Sequence, residues 1–215
     1  MCIRDSGVSD PSNVITLNNT GVADIAGNTG SGTTSSGNYT IDTVLPTATI
    51  VVADTALRIG ETSLVTITFN EAVSGFTNAD LTIANGTLTA VSSSDGGITW
   101  TATFTPSASI TDTTNLITLD NTGVQAAGTG NVGSDTTDSN NYAIDTVRPT
   151  ATIVVTDTAL RIGETSLVTI TFSEAVSGFT NADLTIANGT LSAVSSSDGG
   201  ITWTCLLYTS DAADE

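Results

Sequence analysis

The chain has 215 residues and a formal net charge of −18 at pH 7, from 22 acidic and four basic side chains with no histidine. All the basic residues are arginines, so the chain lacks the cations needed to neutralise phosphate groups, which excludes nucleic acid and anionic lipid as partners. Without histidine or lysine, Ser-His-Asp and Cys-His catalytic groups, Schiff-base lysines and histidine-based zinc sites are excluded as well. A carboxylate pair of the glycosidase kind remains, but the acids lie mostly in predicted turns, and we predict no enzyme.

Both ends of the chain resemble translated sequencing adapter. Back-translation of residues 1–6 and 205–210 gives codons that are reverse complements over a shared core. Such segments are set aside before a fold is inferred. We therefore predict that residues 1–6 and 205–215 are adapter-derived and not native, which assigns both cysteines, Cys2 and Cys205, to the adapter.

An internal repeat organises the remaining residues. Residues 46–101 match residues 149–204 at an offset of 103, and residues 13–17 and 39–44 recur at 115–119 and 142–147. This predicts three pieces: the C-terminal strands of one repeat at 7–43, a complete repeat at 44–146, and the N-terminal part of a third at 147–204.

Seven strands are predicted in the complete repeat, because apolar residues alternate with threonine and other β-branched residues. In chain order they are strand A at 47–52, B at 64–69, C at 81–84, D at 88–91, E at 98–104, F at 115–119 and G at 142–145. No segment has the periodicity of a helix. No apolar run approaches the ~20 residues of a membrane span, so no direct membrane insertion is expected.

The turns and the core positions complete the fold prediction. Asn85-Gly86 predicts a two-residue hairpin between strands C and D, and Asp95-Gly96-Gly97 a turn into strand E. Trp100 and Phe104 on strand E are predicted to fill the core, with Phe69 opposite. Seven short strands in about a hundred residues predict tandem all-β, immunoglobulin-like antiparallel sandwiches.

Four segments carry a resemblance to a known family: 145–153 (DTVRPTATI), 170–179 (ITFSEAVSGF), 183–191 (DLTIANGTL) and 198–204 (DGGITWT). They resemble the bacterial Ig-like repeats of giant surface adhesins of the RTX and biofilm-associated kind. The resemblance implies a secreted or cell-surface protein with roles in adhesion and biofilm, and no activity of a single repeat. The complete repeat departs from this family pattern in one loop. The loop at 125–129 (QAAGT) lacks the acid and amide that residues 23–28 (ADIAGN) carry.

Calcium is the one ligand that the composition favours, because it prefers oxygen donors and the chain offers little else. Strands that alternate in direction bring the A–B, C–D and E–F loops to one end of a repeat and the other loops to its opposite end. The predicted ligands are therefore acids at the junctions between repeats. They are Asp145, Asp112, Glu174 and Asp198 at one junction, with Asp42 and Glu71 at the preceding one. The alternative is that these acids are solvated turn residues and caps.

The linker between the complete repeat and the third piece bears on function. Residues 144–149 contain no glycine or serine, and Pro149 fixes its own φ, which predicts a short stiff hinge. The leading hypothesis is a spacer that projects a distal adhesive module, with neighbouring repeats of the same chain as partners. The alternative is that each repeat is a weak carbohydrate- or protein-binding module acting by avidity. A third hypothesis, a domain of a secreted enzyme, requires a catalytic segment elsewhere.

Overall fold

A computed structural model describes residues 7–209 of the chain, which are built from strands, turns and four short 3-10 helices. The chain divides into two compact units, the first ending at Val147 and the second beginning at Arg148. Residues 1–6 and 210–215, which fall in the predicted adapter segments, lie outside the described residues. No helix in the described part of the chain is long and apolar enough to cross a membrane.

The complete repeat contains thirteen strands and two 3-10 helices. The strands are β5 (Ala48–Val52), β6 (Ala56–Arg58), β7 (Ser63–Phe69), β8 (Val73–Ser74), β9 (Leu81–Ile83), β10 (Gly86–Leu88), β11 (Ser92–Ser93), β12 (Thr99–Pro106), β13 (Thr111–Asn115), β14 (Ile117–Asp120), β15 (Gln125–Ala126), β16 (Thr136–Asp138) and β17 (Tyr142–Asp145). The 3-10 helices are Asn78–Asp80 and Asn121–Gly123.

Two layers of strands face each other in this repeat. One layer has the order β10-β12-β7-β5, all antiparallel, with β11 also paired to β12. The other layer contains the strand groups β16-β14-β9 and β13-β17-β6, with the pair β15-β8 beside them. The first layer corresponds to predicted strands A, B, E and D, and the second to C, F and G, which is the arrangement of an immunoglobulin-like sandwich. The predicted all-β fold is confirmed.

The core is built from the apolar residues that alternate with polar residues along the strands. Val65, Ile67 and Phe69 on β7 and Phe104 on β12 are buried, while Leu64 on β7 points outward. The opposite layer contributes a matching buried set: Ile117, Leu119, Val124, Tyr142 and Ile144. Each such side chain contributes about 1.5–3 kcal/mol by leaving water.

The aromatic residues pack edge to face across the two layers. The ring centroids of Phe104 and Tyr142 are 5.1 Å apart. Phe76 lies between Phe69 and Trp100, with centroid distances of 5.3 and 5.2 Å. Trp100 is half-buried and donates its indole N–H to the carbonyl oxygen of Gly97 at 3.1 Å. The prediction that Trp100 belongs to the core is therefore correct.

The predicted C–D hairpin is wrong. β9 pairs with β14 and β10 pairs with β12, so the two strands belong to different layers and Asn85-Gly86 crosses between them. Asn85 has a positive φ of 55°, but Gly86 does not. Glycine is needed at position 86 because a Cβ there would lie 2.3 Å from the ring of Phe104.

Two further strand predictions need correction. Strand D, predicted at 88–91, is two short strands, β10 and β11, on either side of residues 89–91. Strand F, predicted at 115–119, is split at Leu116 into β13 and β14, which pair with different partners. The short strand β6, which the sequence did not predict, pairs in parallel with β17.

The N-terminal segment repeats the second half of the complete repeat. Its strands are β1 (Ser9–Asn13), β2 (Thr16–Asn18), β3 (Thr33–Ser35) and β4 (Tyr39–Asp42), with a 3-10 helix at Asn19–Gly21. β1 pairs with β4 as β13 does with β17, and β2 pairs with β3 as β14 does with β16.

The second unit repeats the first half of the complete repeat. Its strands are β18 (Ala151–Val155), β19 (Thr165–Phe172), β20 (Thr190–Leu191), β21 (Ser195–Ser196) and β22 (Thr202–Tyr208), with a 3-10 helix at Asn181–Asp183. Strand β22 extends to Tyr208, beyond the predicted end at Thr204, and buries Cys205 where the complete repeat has Ala102. The adapter origin of residues 205–215 stays a prediction.

Candidate functional site at the ends of the repeat

One end of the complete repeat collects Asp112 and Asp145, two of the predicted calcium ligands. They lie on the paired strands β13 and β17, where Asp112 is opposite Ile144 and Thr111 is opposite Asp145. Asp112 accepts hydrogen bonds from the Asn85 carboxamide at 2.9 Å and from the Thr114 amide at 2.9 Å. The Asn85–Asp112 bond joins the C–D and E–F loops, as the alternating strand directions predict.

Asp145 is also occupied by local partners. Its Oδ1 atom accepts hydrogen bonds from the Thr111 hydroxyl at 3.0 Å and from the Val147 amide at 3.3 Å. Nearby, burial and then the charge of Asp112 raise the pKa of Tyr142 to about 12. Asp112 therefore supports the irregular step within β13, and Asp145 caps the chain where it leaves β17.

The opposite end of the complete repeat receives the segment that enters it. The Asn131 carboxamide donates to the main-chain oxygen of Asp42 at 3.0 Å and to that of Val44 at 2.9 Å. Asp42 in turn accepts the Val44 amide through Oδ1 at 3.0 Å. Pro46, the next residue but one, is buried. The Asn131 carboxamide and the burial of Pro46 thus hold the segment 42–46, which we call the entry linker, against the repeat.

Glu71 lies beside the entry linker and carries an unusual carboxylate. Its Oε1 atom is inaccessible and has no hydrogen-bond partner among the described residues, although the residue as a whole is half-buried. Burial, and then the negative charge of Asp42, raise the pKa of Glu71 above its ordinary value. Asp42 and Glu71, both predicted ligands, are therefore close enough to repel each other.

The second unit holds the other two predicted ligands. Asp198 accepts hydrogen bonds from the Ser196 hydroxyl at 2.8 Å and from the amides of Ile201 and Thr202 at 3.2 and 2.9 Å. These bonds lower its pKa to about 2, the Thr202 amide being the largest cause. Asp95 makes the equivalent bonds in the complete repeat, and its pKa is also lowered to about 2. Both carboxylates shape the turn into the following strand.

Glu174 repeats the feature seen at Glu71. Its Oε1 atom is inaccessible and without a hydrogen-bond partner among the described residues. Across residues 7–209, no group of three or more His, Cys, Asp or Glu side chains is placed to hold a metal ion. A calcium site at the junctions stays a prediction.

The contact made by Asn131 was not predicted when the loop at 125–129 was compared with residues 23–28. Its counterpart in the N-terminal segment is Asn28, because Asp24 N bonds Asn28 O as Ala126 N bonds Asn131 O. The side chain of Asn28 binds Asp24 at 2.8 Å, whereas position 126 is alanine, so Asn131 has no such partner and binds the entry linker instead. The loop of the complete repeat thus lacks the counterpart of Asp24 but keeps the counterpart of Asn28, which is Asn131. An alignment that ignores the one-residue insertion would place this counterpart at position 130.

Comparison with known proteins places the fold in a family. The profile of the bacterial Ig-like domain matches residues 42–144 and 145–215, two tandem copies whose starts are 103 residues apart. The chain belongs to the bacterial Ig-like domain family. No curated protein matches the sequence. Among solved structures, FdeC, an Escherichia coli adhesin, is similar at 13% identity, with a TM-score of 0.40 over 95% of this chain and 80% of that one.

Proposed function

We propose that these repeats are structural spacers of a bacterial cell-surface or secreted adhesin, which project a distal adhesive module. The observation that carries the proposal is the clamp of Asn131 on the entry linker. A flexible tether needs no such contact, whereas a spacer must keep successive repeats from folding back on one another. Membership of the bacterial Ig-like family and the resemblance to surface adhesins support the same role.

The aromatic residues of the complete repeat argue against a carbohydrate-binding module. Stacking against sugars needs an exposed ring, but each aromatic side chain within residues 44–146 is buried or half-buried. These residues are Phe69, Phe76, Trp100, Phe104 and Tyr142. Most large apolar residues of this repeat gather in one core, whereas Val51 and Leu64 are each 53% exposed.

The proposal is tested by measuring length against repeat number. In polypeptides with increasing numbers of copies of residues 44–146, the maximum dimension from small-angle X-ray scattering should grow linearly, by about 30–40 Å per copy. Growth with the square root of copy number would indicate a flexible tether and contradict a spacer. Binding of the same polypeptides to immobilised glycans or host proteins, increasing with copy number, would favour the alternative of a module that acts by avidity.

Calcium at the repeat junctions is a second, separate proposal. Its support is the pair Asp42 and Glu71, whose charges repel and of which Glu71 has an unpartnered oxygen. A divalent cation between them would cancel the repulsion and fix the entry linker from a second side. We propose calcium because it binds carboxylate and main-chain oxygens as ligands. Extracellular modules commonly bind it with millimolar affinity.

A further inference from the structure

The outer face of one layer of the complete repeat carries no charged side chain. The layer β10-β12-β7-β5 is formed by the strand sequences GTL, TWTATFTP, SLVTITF and ATIVV. Threonine occupies every outward position of these strands except Val51 and Leu64. The outward positions of the other layer include the exposed residues Asp120 and Asp138. In a chain with a net charge of −18, acidic residues are thus absent from one whole face.

The outward threonines lie in rows across the strands. Thr49 on β5 is opposite Thr68 on β7, which is opposite Thr99 on β12. In the next row, Thr66 is opposite Thr101. Neighbouring strands lie about 4.8 Å apart, and successive outward residues of one strand about 6.8 Å apart. We call this regular array, formed by the outward residues of β5, β7, β10 and β12, the threonine face.

The hydroxyl groups of the threonine face are open to a partner. Those of Thr66, Thr68, Thr101 and Thr105 make no hydrogen bond within residues 7–209. A hydroxyl group both donates and accepts hydrogen bonds, whereas a carboxylate only accepts them. A face built from threonine can therefore bind a copy of itself, whereas two faces that carry carboxylates repel each other.

Two apolar side chains lie on the same face. Val51 on β5 and Leu64 on β7 are each 53% exposed. Val51 is opposite Thr66, which lies two residues from Leu64, so the two apolar side chains are diagonal neighbours. A partner that covers the threonine face would remove both of them from water, which favours association.

We propose that the threonine face is a contact between two copies of this chain. The two faces pack sheet on sheet about a two-fold axis, at a spacing of about 10 Å. A second copy is the partner because the face is uncharged and complementary to itself. Two chains that each carry a net charge of −18 can approach on this face without bringing carboxylates opposite one another. This self-association goes beyond the proposed spacer role, since it joins spacers side by side.

The size of the threonine face makes the contact weak and reversible. Four strands, of which β7 and β12 are seven and eight residues long, span roughly 19 by 24 Å, an area of about 450 Å². A stable interface buries about 800 Å² on each partner. We therefore expect association only at high concentration, such as that of chains held next to one another.

Nuclear magnetic resonance across a concentration series of the full chain locates the contact residue by residue. In ¹H-¹⁵N spectra, the amides of β5, β7, β10 and β12 should shift as the concentration rises, and those of β14, β16 and β17 should not. The shifts should grow with added sodium chloride, because salt screens the repulsion between the chains and acts little on an uncharged contact. Spectra that do not change with concentration, changes confined to other strands of the complete repeat, or changes that salt reverses would overturn the proposal.

A neutral polysaccharide is the rival occupant of a face rich in hydroxyl groups. Dextran is the probe, added to a dilute sample in which the chain is monomeric. No shift with dextran is expected, since no exposed aromatic ring of the complete repeat offers a surface on which a sugar could stack. Shifts of the threonine face with dextran but not with protein concentration would replace the second copy by a sugar and refute self-association.

Thr68→Asp tests the face by substitution in the full chain. In a two-fold contact it places a like charge on both partners, so the shifts of the complete repeat should need at least about tenfold higher protein concentration. Thr82→Asp is the matched control, because Thr82 is an exposed threonine on β9 in the other layer, and it should leave the shifts unchanged. Thr105→Asp, an exposed position on β12, is the second variant if melting shows that Thr68→Asp does not fold. Equal association of the face variant and Thr82→Asp would show that the threonine face is not the contact.

Discussion

The carboxamide of Asn131 in the loop between β15 and β16 donates to the main-chain oxygen of Asp42, the last residue of β4, at 3.0 Å. A second bond from the same carboxamide reaches Val44 O at 2.9 Å. One side chain of the complete repeat thus fixes the main chain of the segment that precedes it. We therefore expect this loop, in addition to the proline of the linker, to restrict motion at the junction.

Substitution of Asn131 by alanine should release the entry linker. Each lost hydrogen bond is worth about 0.5–1.5 kcal/mol. In ¹⁵N relaxation measurements, residues 7–43 of Asn131→Ala should tumble independently of residues 48–145, whereas in the wild type the two move together. Asn28→Ala is the control, since Asn28 binds Asp24 within its own segment. Unchanged relaxation in Asn131→Ala would mean that Pro46 and packing hold the linker without the clamp.

The fold was predictable where apolar and polar residues alternate regularly. It was not predictable where the chain crosses from one layer to the other. Strands A, B, E and G lie within one or two residues of their predicted bounds, because Val65, Ile67 and Phe69 and their equivalents alternate with polar residues. The Asn85-Gly86 pair has the composition of a hairpin turn. Its role as a crossing between layers depends on the Phe104 ring beneath Gly86, which lies eighteen residues away in sequence.

The candidate site was predictable in position but not in detail. Alternating strand directions correctly place Asp112 near Asn85, and the charge of Asp42 acts on Glu71 at the other end. The Asn131 clamp was not found because a one-residue insertion hides its equivalence to Asn28. Asp198 and Asp95 accept main-chain amides in their turns, which agrees with the alternative that such acids are turn residues and caps.

Asp95 should make the stability of the complete repeat sensitive to acid. Its folded-state pKa of about 2 lies below the ordinary value of 3.8, so its contribution is present above pH 3.8 and is lost as the pH falls towards 2. Asp95→Asn should lower the melting temperature at pH 7, and the difference from the wild type should shrink between pH 4 and pH 2. Trp100 fluorescence in a Trp203→Phe background reports the transition of this repeat. A difference that is constant with pH would argue that the carboxylate charge is unimportant.

Phe104 should be the most costly aromatic to remove from the complete repeat. It is fully buried, and its ring packs against Tyr142 in the opposite layer. Phe104→Ala should lower the free energy of unfolding by about 3–5 kcal/mol in denaturant titrations. Leu64→Ala, on the exposed side of β7, should cost about 0.5 kcal/mol or less. Similar losses for the two variants would contradict the assignment of inward and outward faces.

Residues 147–204 should not fold alone, whereas residues 44–146 should. The complete repeat closes its core with Ile117, Leu119, Tyr142 and Ile144, and nothing equivalent follows Ile153 within 147–204. Its apolar face would stay open to water and to aggregation. Calorimetry of the two fragments should give one cooperative transition for 44–146 and none for 147–204. A cooperative transition in the shorter fragment would contradict the seven-strand requirement.

Calcium should stiffen the junction at the entry linker and stabilise the folded chain. Asp42 and Glu71 repel each other there, and a bound cation would convert this repulsion into a bridge. Because calcium would bind the folded junction and not the unfolded chain, stability should rise by about 2.7 kcal/mol at a hundred times the dissociation constant. The melting temperature and the scattering-derived maximum dimension of the full chain should both increase in millimolar calcium relative to chelator.

Two comparisons separate a calcium site from general screening of a chain with a net charge of −18. Magnesium screens charge as calcium does but demands a tighter octahedral geometry, so it should give a smaller response. Asp42→Asn keeps an oxygen that can accept the Val44 amide, as Oδ1 of Asp42 does, while it removes the charge. This variant should be more stable than the wild type in chelator, because Glu71 is no longer repelled, and it should gain nothing from calcium. An undiminished calcium response in Asp42→Asn would place the ion elsewhere and leave Asn131 and Pro46 as the sources of stiffness at this junction.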